Sequence, residues 1–317
     1  MKILQSAFAE PLSGYVKLLA SLGYRLQNPA FVLEAFDRWI FEKGYIGPLT
    51  QELALEFASN NPKNCVNYCA RRYQVVRHFS EYLATFDPQT PRLDPEALQR
   101  STARNPRHLY TEQELAKILN EARNVSKTNP FAGLTLHTMI GLAASTGLRI
   151  SEVVRLDRED VDLKTGILNI KHSKFDKSRL VPLHKTTLEV VRNYAAVRDV
   201  AYPKCKTVAF FINSRQKRFA RNTLQQLFAG AACRAGVRGP KGRGPGFHDL
   251  RHYFATERLL RWYKAGIDVQ TMLPVLATYM GHAHYTDTAY YLTATAELLG
   301  LAAGRYQHWL ASKEVES

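Results

Sequence analysis

The stretch GHAHYTDTAYYLTAT near the C-terminus carries two histidines and three tyrosines, namely His282, His284, Tyr285, Tyr290 and Tyr291. A tyrosine hydroxyl can act as a nucleophile, but its pKa of about 10 means that neighbouring groups must stabilise the phenolate at neutral pH. The stretch therefore suggests a covalent mechanism in which one of the phenols attacks. Residue spacing by itself does not separate Tyr290 from Tyr291.

A second candidate lies in FHDLRHYFAT, where His248 and Arg251 are three residues apart and so share one face of a helix. The glycine-rich segment GVRGPKGRGPG, residues 236–246, comes directly before it and predicts a loop. A helix that begins after such a loop offers backbone N–H groups and the positive end of its dipole to an anion. Alone, this pair is a weak indication of an anion site.

Two further stretches contain cations suited to a phosphate. In STGLRISEVVRL, Arg149 either pairs with Glu152 three residues on or directs its planar guanidinium at a phosphate. In the segment HSKFDKS, Lys174 and Lys177 lie at a predicted strand turn, where a lysine usually serves solubility. The alternative is that one of these lysines reaches a leaving-group oxygen.

Composition points to a polyanionic partner. The 317 residues suffice for two domains and carry a formal net charge of +15. Residues 1–105 hold 12 basic and 10 acidic side chains, whereas residues 106–317 hold 31 and 18. Nucleic acid is favoured over a membrane, since no apolar run approaches the ~18 residues of a spanning helix, and no signal peptide is expected. Reduced core residues, not a zinc site, are expected at Cys65, Cys69, Cys205 and Cys233.

The first hundred residues predict helices, because apolar residues recur at three- and four-residue steps. One of these helices has a basic face with Arg71, Arg72 and Arg77, which is either a solvated surface or a DNA contact. Three prolines and the polar run STARNPR follow and predict a linker near residues 100–108.

The second part predicts a mixture of helices with one β-hairpin. Thr111-Glu-Gln-Glu114 is a capping-box pattern that opens a helix, and FAGLTLHTMIGLAASTGLR predicts a helix that ends at a Thr-Gly turn. GILNIKHSKFDKSRLVPLH predicts a hairpin with arms at residues 167–170 and 179–183. The predicted fold class is therefore mainly α with a small β-sheet.

Four motifs in this order resemble the tyrosine recombinase family, also called the phage integrase family: TGLRISE, SKFDKSRLVPL, HDLRHYFAT, and MGH followed nine residues later by a tyrosine. The resemblance covers residues 108–292, and the long segment between the last two motifs is similar to transposon-associated members. It implies a helical core-binding (SAM-like) DNA-clamp domain over residues 1–100, a linker at 101–108 and a mixed α/β catalytic domain over 109–317. The tail carries an apolar stripe at helical spacing, and the resemblance implies that it is a C-terminal exchange helix at about 297–312, docked on a neighbouring protomer; the alternative is a helix that folds back on its own domain.

The resemblance also assigns roles. The family nucleophile follows the histidine of the Gly-His motif by nine residues, which selects Tyr291 after His282. The implied catalytic set, with Glu152 in support, is Tyr291, Arg149, Lys174, His248, Arg251 and His282. The expected DNA contacts are Arg71, Arg72, Arg77, Lys177, Arg179 and Arg243. No cofactor and no metal ion are expected, because two guanidinium groups would supply the positive charge.

The function implied is that of a site-specific DNA recombinase or integrase, which cleaves and rejoins strands through a 3′-phosphotyrosyl intermediate without ATP or metal. The alternatives are a type IB topoisomerase-like nicking-closing enzyme, a non-catalytic recombinase-like DNA-binding protein and, on charge alone, an RNA-binding or structural protein. The partners implied are double-stranded DNA with specific recombination sites, further copies of the chain in dimers and tetramers on DNA, and in some systems a second recombinase. The expected location is the cytoplasm, at the nucleoid.

Overall fold

The chain forms two compact units, Met1–Asn105 and Pro106–Ser317, each with its own hydrophobic core. The computed structural model describes residues 4–24, 27–62, 64–88, 90–98, 107–126, 128–171, 178–237, 244–282, 286–289, 291, 300 and 303–304. Within those residues no helix is both long enough and apolar enough to cross a membrane.

The described part of the first unit is helical, as its sequence predicts. Its helices are α1 (Ala9–Ser21), α2 (Gln27–Lys43), α3 (Gln51–Ser59) and α4 (Val66–Leu83). Thr50 begins α3, because its side chain accepts a hydrogen bond from the backbone N–H of Leu53 at 3.2 Å. The apolar faces of the four helices meet in a core that includes Leu12, Phe36, Phe57, Tyr73 and Phe79.

The second unit is built around one buried helix. Its described helices are α5 (Glu112–Arg123), α6 (Pro130–Thr146), α7 (Ile150–Arg155), α8 (Lys185–Ala201), α9 (Arg221–Arg234), α10 (Asp249–Lys264), α11 (Val269–Met280) and the short α12 (Thr286–Ala289). Helix α6 is apolar on most of its surface and contacts α5, α8 and α10. The predicted capping box is confirmed, since Thr111 and Glu114 exchange hydrogen bonds of 2.9 and 3.1 Å at the start of α5.

A three-stranded antiparallel sheet lies between α7 and α8. It contains β1 (Val161–Asp162), β2 (Ile167–Ile170) and β3 (Arg179–Pro182) in that spatial order. Leu168 pairs with Val161 on one side and with Val181 on the other, and all three side chains are buried. The predicted hairpin of β2 and β3 is confirmed. Strand β1 was not predicted, because two residues are too few to show an alternating pattern.

The fold class is the predicted one, a mainly helical chain with a small sheet. The hairpin tip with Lys174 and Lys177 lies outside the described residues, as does most of the glycine-rich loop, including Arg243. The expected exchange helix at 297–312 also lies outside them, apart from residues 300, 303 and 304.

Candidate active site

Arg149 is placed by a sharp change of direction between α6 and α7. Helix α6 ends at Gly147, which has a left-handed φ of +66° that glycine adopts without strain. A Cβ at this position would lie 2.6 Å from the Phe254 ring. Arg149 then begins α7, and its guanidinium donates to Glu152 Oε1 and to the carbonyl oxygen of Gly281, both at 2.9 Å. The predicted pairing with Glu152 is therefore present, and the same guanidinium also reaches the segment that carries His282.

Glu152 is shared between two arginines. The two Nη atoms of Arg179 each donate to one of its oxygens at 3.0 Å, while Nε of Arg179 donates to the carbonyl oxygen of Tyr279 at 2.8 Å. Burial alone would raise the pKa of Glu152, but the hydrogen bonds and charges of Arg179 and Arg149 hold it below its ordinary value. An ionised carboxylate thus connects α7, β3 and the end of α11.

Arg251 is a buried cation in the first turn of α10, with 1% of its surface exposed. It donates to the carbonyl oxygens of Gly147 at 2.7 Å and Met280 at 2.8 Å. Burial, followed by the charge of Arg149, lowers its pKa to about 10, so the guanidinium is protonated at neutral pH. Two helix ends, of α6 and α11, therefore hold Arg251 in place.

Tyr291 lies inside this site and is only 4% exposed. Its ring stacks on His282 with centroids 6.1 Å apart and meets the His252 ring edge-on at 5.2 Å. Burial raises the pKa of the phenol, whereas the charge of Arg251 and a hydrogen bond from it act in the opposite direction. The structure thus places one phenol directly against a buried guanidinium.

The three surrounding histidines are neutral at physiological pH. Burial, then the charges of Arg251 and Arg149, lowers the pKa of His282 to about 4. Burial, then His248 and nearby arginines, lowers the pKa of His252 to about 4 as well. His248 keeps an exposed surface at the start of α10, but desolvation of its ring and then the charge of Arg251 lower its pKa to about 4 too. Its ring centroid lies 5.5 Å from that of His252.

The site is suited to an anion with a nucleophile beside it. Arg149, Arg179 and Arg251 surround the single negative charge of Glu152, so the cluster is positive overall. Guanidinium groups bind phosphate oxygens by paired hydrogen bonds and stabilise charge that develops there in a transition state. Within the described residues there is no group of three or more histidine, cysteine, aspartate or glutamate side chains placed to hold a metal ion.

The structure brings five of the predicted site residues together: Arg149, Glu152, Arg251, His282 and Tyr291. His248 lies at the exposed edge of the same cluster, one ring away from Tyr291 through His252. Lys174 lies outside the described residues, so its part in the site stays a prediction.

Two of the expected DNA contacts are inside the protein. The Arg179 guanidinium donates to Glu152 and to the carbonyl oxygen of Tyr279 inside the site. Arg72 is 7% exposed, with its guanidinium carbon 3.8 Å from the Phe57 ring centroid and Nη1 2.7 Å from Asn60 Oδ1. Both are packing or bridging residues and not surface cations, so we remove them from the expected contacts.

The other four expected DNA contacts stay predictions. Arg71 is partly exposed on α4, and Arg77 forms an ion pair with Glu81 one turn further on. Lys177 and Arg243 lie outside the described residues.

The sequence did not predict one residue and two contacts of the site. His252 is four residues after His248 on one helix, and this spacing could have indicated a contact between them. The link from Arg179 to Glu152 joins elements 27 residues apart, which no local pattern reveals. The hydrogen bond between Thr288 and His282 depends on a short helix whose four residues are too few for a periodic signal.

Comparisons with known proteins agree with the motifs. The model of the phage integrase family matches residues 109–297. The protein y4rE of Sinorhizobium fredii, named as an integrase/recombinase, is 45% identical over 296 residues, which is 93% of this chain and 94% of that protein. The tyrosine recombinase XerD of Mycobacterium tuberculosis is 33% identical over 199 residues, 62% of this chain and 59% of its own.

Solved structures share the fold. The XerH site-specific recombinase bound to its palindromic difH substrate has a TM-score of 0.64 at 22% identity and covers 88% of this chain and 78% of that chain. The Tn1549 transposon integrase in complex with transposon right end DNA has a TM-score of 0.66 at 16% identity, with 94% and 98% covered. At these identities the likeness concerns the backbone fold.

Proposed function

The chain belongs to the phage integrase family of tyrosine recombinases, and on this premise we propose that it cleaves and rejoins double-stranded DNA at specific sites. The observation that carries the proposal is the buried Tyr291 phenol, hydrogen-bonded to Arg251 and enclosed by two neutral histidine rings. A nucleophile in contact with a guanidinium is suited to attack on a phosphate that the same guanidinium binds.

In the proposed reaction the Tyr291 oxygen attacks the phosphorus of one strand. A bond forms between that oxygen and phosphorus, the bond from phosphorus to the 5′ oxygen breaks, and a 3′-phosphotyrosyl link and a 5′-hydroxyl result. Rejoining is the reverse attack by a 5′-hydroxyl. Because one phosphodiester is exchanged for another, the energy of the broken bond is retained and no ATP is needed.

Arg149 and Arg251 are proposed to bind the non-bridging oxygens of the phosphate. Each guanidinium carries five N–H donors and spends two on carbonyl or carboxylate oxygens of the protein, which leaves others for the substrate. The protein partners fix the orientation of both groups before DNA arrives, so little reorganisation is needed as charge develops. Loss of one such donor typically costs ~10²–10³ in rate.

Two proton transfers complete the proposed reaction. The phenol proton must leave as the new bond forms, and His248, exposed at the edge of the cluster, is proposed to assist this transfer. The 5′ oxygen must gain a proton as it leaves, and Lys174 is proposed as the donor. His282 is proposed to add a hydrogen bond to the phosphate.

Assembly on DNA is part of the proposal. The helical first unit is proposed to close around the duplex, with the partly exposed Arg71 among its contacts. Dimers and tetramers of the chain are proposed by analogy with lambda integrase, which has been solved as a tetramer bound to a Holliday junction. The tail is proposed to dock on a neighbouring protomer, and the chain to work at the nucleoid.

The test is strand exchange between two DNA molecules. A site is first isolated from a library of duplexes with a randomised central segment, as the DNA that becomes covalently bound to the protein. Two plasmids that each carry this site are then incubated with the protein, and junctions are sequenced. Exchanged junctions are expected; relaxation of supercoils without exchange would indicate the topoisomerase alternative, and binding without covalent product would indicate the non-catalytic one.

A further inference from the structure

A short hydrogen bond links the Gly-His motif to the segment that presents the nucleophile. Nδ1 of His282 lies 2.7 Å from the hydroxyl oxygen of Thr288, whose side chain is fully buried in α12. Thr288 precedes Tyr291 by three residues, and the Tyr291 ring stacks on that of His282. The short stretch of chain that holds Thr288 therefore contacts Nδ1 of His282 and also leads to the proposed nucleophile, Tyr291.

His282 is held by its backbone as well. Gly281 has a φ of +68° and ends α11, and the backbone N–H of His282 donates to the carbonyl oxygen of Ala277 at 2.9 Å. With the main chain fixed on one side and Nδ1 engaged by Thr288, the ring is fixed at two places. Nε2 is the ring atom that stays available for a substrate.

Because the His282 ring is neutral, the hydrogen-bond partner of Nδ1 decides which ring nitrogen carries the proton. Burial and the charges of Arg251, Arg149 and Arg179 favour the neutral ring, and Asp287 acts in the opposite direction. A neutral imidazole carries one proton, which is either on Nδ1 or on Nε2. A phosphate oxygen only accepts hydrogen bonds, so a neutral His282 serves a phosphate only when the proton is on Nε2.

We propose that Thr288 is a positioning residue whose hydroxyl donates a hydrogen bond to Nδ1 of His282. This hydrogen bond keeps the proton of the neutral ring on Nε2. The Nε2–H group then donates a hydrogen bond to a non-bridging oxygen of the scissile phosphate. The inference rests on the proposed function for the identity of the acceptor, but its first step, the tautomer, is a property of the free protein. It also means that the segment that carries Tyr291 prepares the phosphate's hydrogen-bond donor.

The first test reads the tautomer without DNA. Full-length protein with ¹⁵N-labelled histidine is compared by NMR with Thr288→Val and Thr288→Ser, and the signals of His282 are identified by their loss in His282→Gln. We expect the Nε2–H form in the wild type and in Thr288→Ser, which keeps the hydroxyl. In Thr288→Val, which keeps the shape and removes the hydroxyl, the Nδ1–H form should appear.

Two outcomes would overturn the inference: an Nδ1–H tautomer in the wild-type protein, or an unchanged tautomer in Thr288→Val. The first does not depend on Thr288→Val, so the inference is testable even if that variant does not fold. Neither outcome bears on whether the protein cleaves DNA, which keeps this test separate from that of the proposed function.

The second test is a double-mutant cycle on the rate of covalent adduct formation with the captured DNA duplex. Thr288→Val should lower the rate by about tenfold or more, since a lost donor to the developing charge costs ~10²–10³. Thr288→Ser should restore it. Gln has no tautomers, so Thr288→Val in a His282→Gln background should have no further effect. An equal loss in both backgrounds would assign Thr288 a merely structural role.

Discussion

The Arg179 guanidinium donates one 3.0 Å hydrogen bond to each oxygen of the Glu152 carboxylate. Arg149 binds the same carboxylate, so one negative charge separates two positive charges within the site. This bidentate contact joins β3 to α7 and lies next to the carbonyl groups that orient Arg149 and Arg251, the proposed phosphate-binding residues. We therefore expect it to govern both the stability and the activity of the second unit.

Glu152→Gln should destabilise the protein by about 3 kcal/mol, because removing one partner of a buried ion pair leaves cations without compensation. Arg179→Lys should also destabilise it, since an ammonium cannot make the paired contact. Urea unfolding measures both effects. Lys171→Gln, directly after β2, breaks ion pairs with the exposed Glu159 and the buried Asp160 and serves as the comparison. If Glu152→Gln unfolds no more easily than the wild type, the carboxylate is not the centre of the network.

Gly281→Ala should strain the backbone and also displace the Arg179 guanidinium. A Cβ at this position would lie 2.7 Å from Nη1 of Arg179, and a φ of +68° adds about 1–2 kcal/mol of left-handed strain. Gly266→Ala is the matched control, because its φ is +73° and nothing lies within 4 Å of the added carbon. We expect similar strain in both variants but loss of adduct formation only in Gly281→Ala. Equal activity in the two would show that the position of Arg179 is unimportant.

Local signals predicted much of this fold, and tertiary contacts supplied the rest. The capping box at Thr111 and the hairpin of β2 and β3 follow from residues close in sequence. The motif resemblance selected Tyr291, which the residues alone did not separate from Tyr290. Arg179 is among the expected DNA contacts, but its guanidinium binds Glu152 on another element, and no local pattern reveals that pairing.

The free energy of unfolding should fall on acidification, because two buried histidines become protonated more easily in the unfolded chain. The pKa values of His252 and His282, about 4, lie below the ordinary value of about 6.5, so between these pH values the unfolded chain binds more protons than the folded one. Their contribution is complete above pH ~6.5 and is lost as pH falls toward 4, at up to about 1.4 kcal/mol per pH unit for each histidine.

Urea unfolding at several pH values checks this expectation against His252→Gln, which removes one titrating ring. The variant should show a shallower dependence than the wild type between about pH 6.5 and pH 4. A slope that is identical in both proteins would mean that His252 is not held neutral by the fold.

Two adjacent arginines of α4 should behave differently. Arg71 is partly exposed, so Arg71→Ala should weaken DNA binding, reduce the slope of log affinity against log salt by about 1 and leave stability unchanged. Arg72 packs on Phe57, so Arg72→Ala should lower the free energy of unfolding by about 2 kcal/mol through lost packing. Binding titrations at several salt concentrations and urea unfolding separate the two. A stable Arg72→Ala protein with weakened DNA binding would restore Arg72 to the surface contacts.

The most direct measurement is the chemical identity of the residue that becomes linked to DNA. The protein is incubated with duplexes that have a randomised central segment and a nick, so that the 5′-hydroxyl fragment diffuses away and the adduct persists. Covalent complexes are digested, and the linked peptide is identified by mass spectrometry in the wild type, Tyr290→Phe and Tyr291→Phe. We predict a phosphotyrosyl bond at Tyr291 in the first two and no adduct in the third. A link at Tyr290, or an adduct that persists in Tyr291→Phe, would contradict the assignment of the nucleophile.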